Sequence, residues 1–294
     1  MIKWLLLMSA AIGAFDSGLA RADWGLDASV GLVYDDNLSN GLEADDRKAD
    51  SAFTATASAG YYEQLGSSTS LGVSLLAETT DYLHYTGLTN VGLGARAQLR
   101  HKFALGAEAP WVAISAQAAH SNYHYDYLDG WQYDATASAG KQLDERWTVR
   151  GLIRYDRYDA DQIKVPRIPG ISGAAYNVWG WSFGASINFL LTEADAISAA
   201  YTYRNGTVTS VDQPDPEVLE YSSAVAVDPV FGTSPRMVAY RIKAKTDVLS
   251  LAWSHTLGRH SSINLAYTYR LSSTGSELGD YYSNLVSISV SYSY

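Results

Sequence analysis

The chain has 294 residues, no cysteine, 22 tyrosines and a formal net charge of −10 at pH 7. The acidic balance argues against nucleic acid as a partner, and a chain without cysteine has neither disulfides nor thiol chemistry. No linker or low-complexity segment divides residues 23–294, so we interpret them as one domain.

The first 22 residues have the pattern of an export signal. A positive charge at Lys3 precedes the mostly apolar residues 4–15, and Ala20-Arg21-Ala22 supplies a cleavage site of the A-x-A type. The apolar run is too short for a membrane anchor. We therefore expect residues 1–22 to be removed as a signal peptide, so that the mature chain begins at Asp23.

Alternation of apolar and polar residues predicts β-strands throughout the mature chain. In the first strand, Trp24, Leu26 and Val30 share one face, while Asp27 and Ser29 share the other. The same pattern predicts twelve strands in chain order, at residues 24–34, 52–63, 69–79, 91–101, 111–119, 131–140, 147–157, 178–190, 196–204, a tenth that ends near residue 256, 262–271 and 285–294.

The connections between these strands alternate in length. Five short turns each carry leucine followed by glycine, aspartate or threonine, as at Leu65-Gly66 and Leu143-Asp144, and six polar segments are longer. This asymmetry predicts an all-β fold, a transmembrane antiparallel up-and-down β-barrel. An even strand count puts both termini on one side, which we expect to be the periplasm. A soluble β-sandwich does not need such alternation.

The last strand shows the clearest alternation. Val286, Ile288 and Val290 share a face with Tyr292 and Tyr294, and the opposite face is entirely serine. It resembles the closing strand of bacterial outer-membrane β-barrels, which ends in an aromatic residue recognised by the barrel-assembly machinery. The resemblance implies that Tyr294 is an assembly signal, although phenylalanine is commoner there.

Aromatic residues are expected to form two belts, because amphipathic rings favour the lipid–water interfaces. Outward rings at the periplasmic ends of the strands are predicted to be Trp24, Tyr61, Trp147, Phe189 and Tyr292. Those at the outer ends are predicted to be Phe53, Tyr133, Tyr155, Trp179, Tyr203 and Tyr269.

The opposite parity predicts the charged side chains that line the lumen. They are Arg96, Arg100, Arg150, Arg154, Arg204, Arg270, Asp27, Glu78, Asp134 and Asp156. Guanidinium groups open to solvent would form a channel that attracts anionic or sugar solutes. Guanidinium groups paired with the acids would instead plug the barrel. Both interpretations stay open, because a single sequence does not give the strand register.

The long polar segments are predicted to be outer loops. Asp35-x-Asn37-x-Ser39 is similar to the start of an EF-hand loop, but Asn40 stands where that loop requires glycine. We interpret this acidic segment as a solvated loop and expect no metal site. The longest connection, residues 205–241, could fold inward as a constriction or stand outside as a hairpin.

Catalysis is a weaker hypothesis. His260 and Ser262 have the spacing of a hydrolase pair but fall at a periplasmic turn, and adjacent His120 and Ser121 point to opposite faces of a strand. The residue types of an outer-membrane aspartate–histidine protease also occur on outer loops, at Asp35, Asp36, His124 and Asp126. We interpret all of these as polar residues of the rims and expect neither an enzyme nor a cofactor.

The segment Tyr34-Asp35-Asp36-Asn37-Leu38 is similar to a Tyr-Asp-x-Asn opening of uncharacterised porin-like outer-membrane barrels of Gram-negative bacteria, some linked to exopolysaccharide export. The resemblance implies contact with outer-membrane lipids and lipopolysaccharide. The leading functional hypothesis is a porin-like channel for small polar, anionic solutes. Its alternatives are a non-conducting accessory barrel of an envelope or exopolysaccharide-export system, and a hydrolase active at the rim.

Overall fold

A computed structural model describes residues 23–163, 170–233, 236–275 and 279–294. The predicted signal peptide, residues 1–22, lies outside the described residues. The described residues form strands β1 (Asp23–Asp35), β2 (Asp50–Gln64), β3 (Thr69–Tyr82), β4 (Asn90–Lys102), β5 (Trp111–Tyr123), β6 (Gly130–Gln142), β7 (Trp147–Ala160), β8 (Val178–Leu190), β9 (Asp195–Asp212), β10 (Ser222–Thr233), β11 (Arg236–Thr256), β12 (Ser261–Ser273) and β13 (Asp280–Ser293), with one short helix, α1 (Pro216–Glu220), before β10.

Twelve of these strands form a closed antiparallel ring. Consecutive strands from β1 to β9 pair with each other, and β1 also pairs with β13, so that Asp27 lies opposite Ser293. The ring closes where β9 pairs with β11, because β10 is not part of the wall. The prediction of an up-and-down β-barrel of twelve strands is confirmed.

The two faces of the barrel differ as the alternation predicts. Along β1, Leu26, Val30 and Leu32 face outward and are 48%, 49% and 56% exposed. A 13-residue strand such as β1 is about 44 Å long, which at a tilt of about 40° exceeds the ~25 Å apolar band of a membrane barrel. An apolar outer band of this size needs a lipid environment. Among the described residues, no helix is long and apolar enough to cross a membrane.

Strands β9 and β11 continue beyond the barrel wall. The pairing of β8 with β9 ends at Gly180 and Gly206, whereas β9 and β11 remain paired up to Asp212 and Val238. Strand β10 pairs with the same projecting part of β11. The long connection predicted at residues 205–241 is therefore largely β-structure. Asn205-Gly206 suggests a turn, but Gly206 here allows a close backbone approach, since an added Cβ would lie 2.2 Å from the carbonyl oxygen of Trp179.

Three other outer connections contain a single turn of 3₁₀ helix, at Ala44–Asp46, Thr86–Leu88 and Asp126–Leu128. The five short connections lie at the opposite end of the barrel, where the chain also enters β1 and leaves β13. There Leu26 and Tyr294 exchange two backbone hydrogen bonds of 3.0 and 2.9 Å. Both ends of the barrel sequence thus lie on the side of the short turns.

Candidate functional site

The inner face of the barrel is unevenly charged. In the half of β13 near the end of the chain, the inner residues are all serines, and they are Ser287, Ser289, Ser291 and Ser293. Arginines face inward from the opposite wall, on β4 and β7, and also from β9 and β12. The lumen therefore combines guanidinium groups on several strands with a row of hydroxyl groups on β13.

Two of the six predicted arginines form ion pairs with predicted acids. Arg154 of β7 is paired with Asp134 of β6. Arg204 of β9 binds Asp156 through two hydrogen bonds of 3.0 and 2.6 Å, and its Nη1 donates to the Thr207 carbonyl at 3.1 Å. These pairs neutralise part of the lumen, as the plug interpretation requires.

Among the described residues, Arg96, Arg150 and Arg270 form no ion pair with those acids. Arg100 of β4 and Arg150 of β7 lie over the indole of Trp111, which faces inward from the start of β5, and Arg96 of β4 lies within electrostatic reach of Arg150. Arg270 of β12 is buried at 8% exposure. Trp111 was not among the predicted lumen residues. The alternation signal was present, because Val112 and Ile114 mark the outer face of this strand and leave Trp111 on the inner one.

The two remaining predicted acids have different surroundings. Asp27 accepts hydrogen bonds from the hydroxyl groups of Ser58, at 3.2 Å, and Ser293. Glu78 lies beside Gly92, where an added Cβ would be 2.6 Å from the glutamate Oε1. Neither acid has an arginine within ion-pair distance among the described residues.

The outer mouth is covered by packed loops. We call α1 and β10 the lid. One buried cluster joins Leu38 after β1, Leu88 after β3, Leu128 after β5, Tyr176 before β8 and Phe231 of the lid. In a ring of twelve strands β1 and β7 lie on opposite sides, so a cluster with members from both sides spans the mouth. The lumen is therefore closed at this end.

Specific contacts fix the lid across the mouth. The rings of Phe231 and Tyr85 lie 4.9 Å apart, which joins the lid to the connection between β3 and β4. Tyr176 donates a hydrogen bond of 2.6 Å to Asp228 near the end of β10. Burial, followed by the charge of Asp228, raises the pKa of the Tyr176 phenol well above its ordinary value. Of the two conformations considered for this segment, the structure shows a hairpin lying over the mouth.

The base of the lid is held by the connection after β1. The backbone N–H of Leu42 donates to Asp212 at 2.8 Å, and Gln213 donates to Asp46 from its backbone and side-chain nitrogens at 3.1 and 3.0 Å. Burial raises the pKa of Asp212 to about 6, although hydrogen bonds from Ser210 and Leu42 act in the opposite direction. This carboxyl group lies on the projecting end of β9, above the membrane-spanning part.

The Tyr-Asp-x-Asn segment, which follows β1, is hydrogen-bonded to β13 and so links the first and last strands of the barrel. Asp36 accepts hydrogen bonds from the backbone and side chain of Asn284 at 2.7 and 2.6 Å. The Asn37 amide donates to the carbonyl oxygens of Gly41 and Tyr282 at 3.1 and 2.9 Å. Within the part of the chain that the structure describes, no group of three or more metal-ligating side chains is present.

The candidate catalytic residues are not brought together. Nε2 of His120 lies 2.7 Å from Asp161, whereas Ser121 faces inward and is fully buried. Nδ1 of His260 donates to the carbonyl oxygen of Ser293 at 2.8 Å. The expectation that this protein is not an enzyme stays a prediction.

The predicted aromatic belts lie on the outer face of the barrel. Trp24, Tyr61 and Trp179 are 75%, 38% and 45% exposed. Neighbouring rings contact each other, with centroids 5.5 Å apart for Trp24 and Tyr61 and 4.3 Å apart for Trp147 and Phe189. Further exposed aromatic residues that the sequence prediction did not include are Trp131, Trp181, Tyr201, Trp253, Tyr267 and Tyr282.

Comparison with protein-family models and with curated protein sequences gives no match. Solved structures do resemble this barrel. An outer membrane channel from Pseudomonas putida F1 is 12% identical and has a TM-score of 0.55, with 96% of this chain and 100% of that chain covered. The outer membrane channel DcaP of Acinetobacter baumannii is 10% identical, with coverage of 96% and 100% and a TM-score of 0.45. The β domain of the Bordetella autotransporter BrkA is 10% identical, with coverage of 92% and 100% and a TM-score of 0.47.

At 12% identity, the likeness to the Pseudomonas channel establishes a shared fold. Together with the exposed apolar band, it defines the class of this protein as a transmembrane β-barrel.

Proposed function

We propose that this protein is a porin-like channel of the Gram-negative outer membrane for small polar, anionic solutes. The observation that supports the proposal best is the inner face, where hydroxyl groups and arginines line the interior of a barrel whose outer face is apolar. A polar interior inside an apolar cylinder is the arrangement that an aqueous pore needs. Arginine presents a planar fork that fits carboxylates and other oxyanions.

In this proposal, the lid acts as the gate of the channel. The mouth is covered by a packed apolar cluster, so ions pass only when the lid moves away. Movement is feasible because α1 and β10 contribute no strand to the ring and can leave the mouth without opening the wall.

The first test is single-channel conductance of the refolded protein in a planar bilayer. We expect rare, short openings for the unmodified protein. Replacing residues 213–237 by an Asn-Gly turn joins Asp212 to Val238, its partner in the register, and should give long-lived openings with anion preference. Arg96→Ala/Arg150→Ala in that lidless background should remove the preference. A folded lidless barrel that stays silent would contradict the channel.

A non-conducting accessory barrel of an envelope or exopolysaccharide-export system is the second candidate. The closed mouth and the pairs Arg154–Asp134 and Arg204–Asp156 favour it, because both reduce the open cross-section. A folded lidless barrel that shows no conductance would favour the accessory barrel over the channel.

The setting we propose follows from the same features. Residues 1–22 serve as the export signal, both termini are periplasmic, and the lid faces outward among lipopolysaccharide. Tyr294, whose ring is 76% exposed at the end of the chain, acts as the signal for the barrel-assembly machinery.

A further inference from the structure

We propose that Arg96 and Arg150, with Arg100 and the indole of Trp111 beside Arg150, form a binding site for small solutes that carry two carboxylates. The assignment rests on the proposed use of the lumen by anionic solutes and names their class. The site lies in the half of the barrel near the short turns, below the closed mouth.

The indole of Trp111 holds two of the arginines of this site, Arg100 and Arg150, through cation–π contacts. The Arg100 guanidinium carbon lies 4.7 Å from the centre of the indole, and that of Arg150 lies 6.0 Å from it. Contacts of this kind between a cation and a π-system hold guanidinium groups in place without neutralising them. Gly140, opposite Trp111 in β6, makes room for the ring, since an added Cβ would lie 2.5 Å from its Cζ2.

Two of these arginines, Arg96 and Arg150, have no counter-charge among the described residues. Arg96 donates to the neutral amide of Gln98 at 3.0 Å, and neither Arg96 nor Arg150 forms an ion pair with a described acid. The Nε of Arg150 is buried and has no hydrogen-bond partner among the described residues. Arg150 also lies within electrostatic reach of both Arg96 and Arg100. Like charges held together with an unused donor indicate that an anion completes the site.

The geometry favours two carboxylates over one. Arg96 and Arg150 come from β4 and β7, three strands apart in the wall, and in the strand register Arg96 is level with Asp156, six residues nearer the outer mouth than Arg150. Their long side chains nevertheless bring the two guanidinium groups within electrostatic reach of each other. Each fork can bind one carboxylate through two parallel hydrogen bonds. A dicarboxylate satisfies both forks at once, whereas a monocarboxylate leaves one guanidinium without a counter-charge.

Equilibrium dialysis of radiolabelled succinate against the refolded full chain in detergent micelles tests the site. Butyrate, with the same number of carbons and one carboxylate, is the matched probe. We expect succinate to bind at least tenfold more tightly than butyrate and to weaken as salt is raised. Equal affinities for the two probes would overturn the assignment to dicarboxylates.

Variants locate the binding. Arg96→Gln/Arg150→Gln should weaken succinate binding at least tenfold, and Arg96→Lys/Arg150→Lys, which keeps the charge and loses the fork, should weaken it by a smaller factor. Arg146→Gln removes the same charge from an exposed position in the turn between β6 and β7 and should leave binding unchanged. Equal binding by all folded variants would overturn the site.

Binding and conductance separate this inference from the proposed function. Succinate binding by a lidless barrel that never conducts would keep the site and overturn the channel. Anion-selective conductance without succinate binding would keep the channel and overturn the site.

Discussion

At the scale of single residues, the lumen uses arginine in two ways. Arg204 is 3% exposed, binds both oxygens of Asp156 and lies against the backbone of Gly180, where an added Cβ would be 2.5 Å from the guanidinium carbon. Arg150 has no such partner and lies near other cations. The first arrangement stabilises the wall, and the second leaves charge available to a solute.

The Arg204–Asp156 pair should therefore matter for stability. Asp156→Asn leaves a buried guanidinium without a counter-charge, and we expect a loss of about 3 kcal/mol in the free energy of unfolding, the low end for buried pairs because the Asp156 side chain is still 16% exposed. Urea unfolding in lipid bilayers measures it. Asp159→Asn breaks the exposed pair with Arg157 and should cost less than about 1 kcal/mol.

The double variant Asp156→Asn/Arg204→Met is the control for this interpretation. It removes both charges, so it should recover most of the loss seen in Asp156→Asn. If Asp156→Asn and Asp159→Asn lower the free energy of unfolding equally, the buried pair stabilises the barrel no more than the exposed pair does.

At the scale of elements, alternation predicted the wall well and the lid poorly. Each barrel strand alternates between lipid and lumen, so its faces follow from a period of two, and Val178–Leu190 was predicted with the bounds that β8 has. The projecting ends of β9 and β11 are buried on both faces, as the adjacent residues Ser210 and Val211 show for β9 at 0% exposure each. A strand that is buried on both sides loses its polar face, and with it the signal.

Contacts in the lid could not be predicted for a second reason. They join residues far apart in the sequence, as when Tyr85 contacts Phe231 or Asn40 donates to the Thr209 carbonyl at 3.0 Å. The ion pairs in the lumen depend in the same way on strand register, which parity alone does not supply.

The lid should respond to pH through Asp212. Because burial raises its pKa to about 6 from an ordinary value of 3.8, the folded lid holds this proton more tightly than the released lid does. Asp212 therefore stabilises the folded lid most below pH about 4. This stabilisation falls as the pH rises through about 6 and stays low at higher pH. The neighbouring charges, Asp46 and Asp215, repel the ionised form, and the phenol of Tyr240 is also close.

Hydrogen exchange of the β10 backbone amides, corrected for the intrinsic rate at each pH, measures this effect. We expect stronger protection at pH 5 than at pH 7.5. Asp212→Asn, which imitates the protonated side chain, should be equally protected at both. Glu220→Gln, an exposed change on α1, should keep the pH dependence. Unchanged protection of the unmodified protein between the two pH values would contradict the role of Asp212.

At the scale of the whole molecule, the two ends of the barrel differ. The lid covers the mouth on the side of the long connections, and the short turns leave the other end lined by residues such as Ser291 and Ser293. In the proposed channel, a solute therefore reaches the lumen arginines from the side of the short turns while the lid is closed.

Chemical labelling can test this sidedness, because the chain has no cysteine of its own. Ser186→Cys places a thiol on the inner face of β8, directly opposite Arg150, and Ser223→Cys places one at an exposed position of the lid. With an impermeant, negatively charged thiol reagent added to intact cells, Ser223→Cys should react at once and Ser186→Cys at least tenfold more slowly. Replacing residues 213–237 by the Asn-Gly turn should bring Ser186→Cys to a comparable rate, because the lid is the barrier. Rapid labelling of Ser186→Cys with the lid intact would mean that the mouth is open in the cell. Slow labelling without the lid would place the barrier deeper in the lumen.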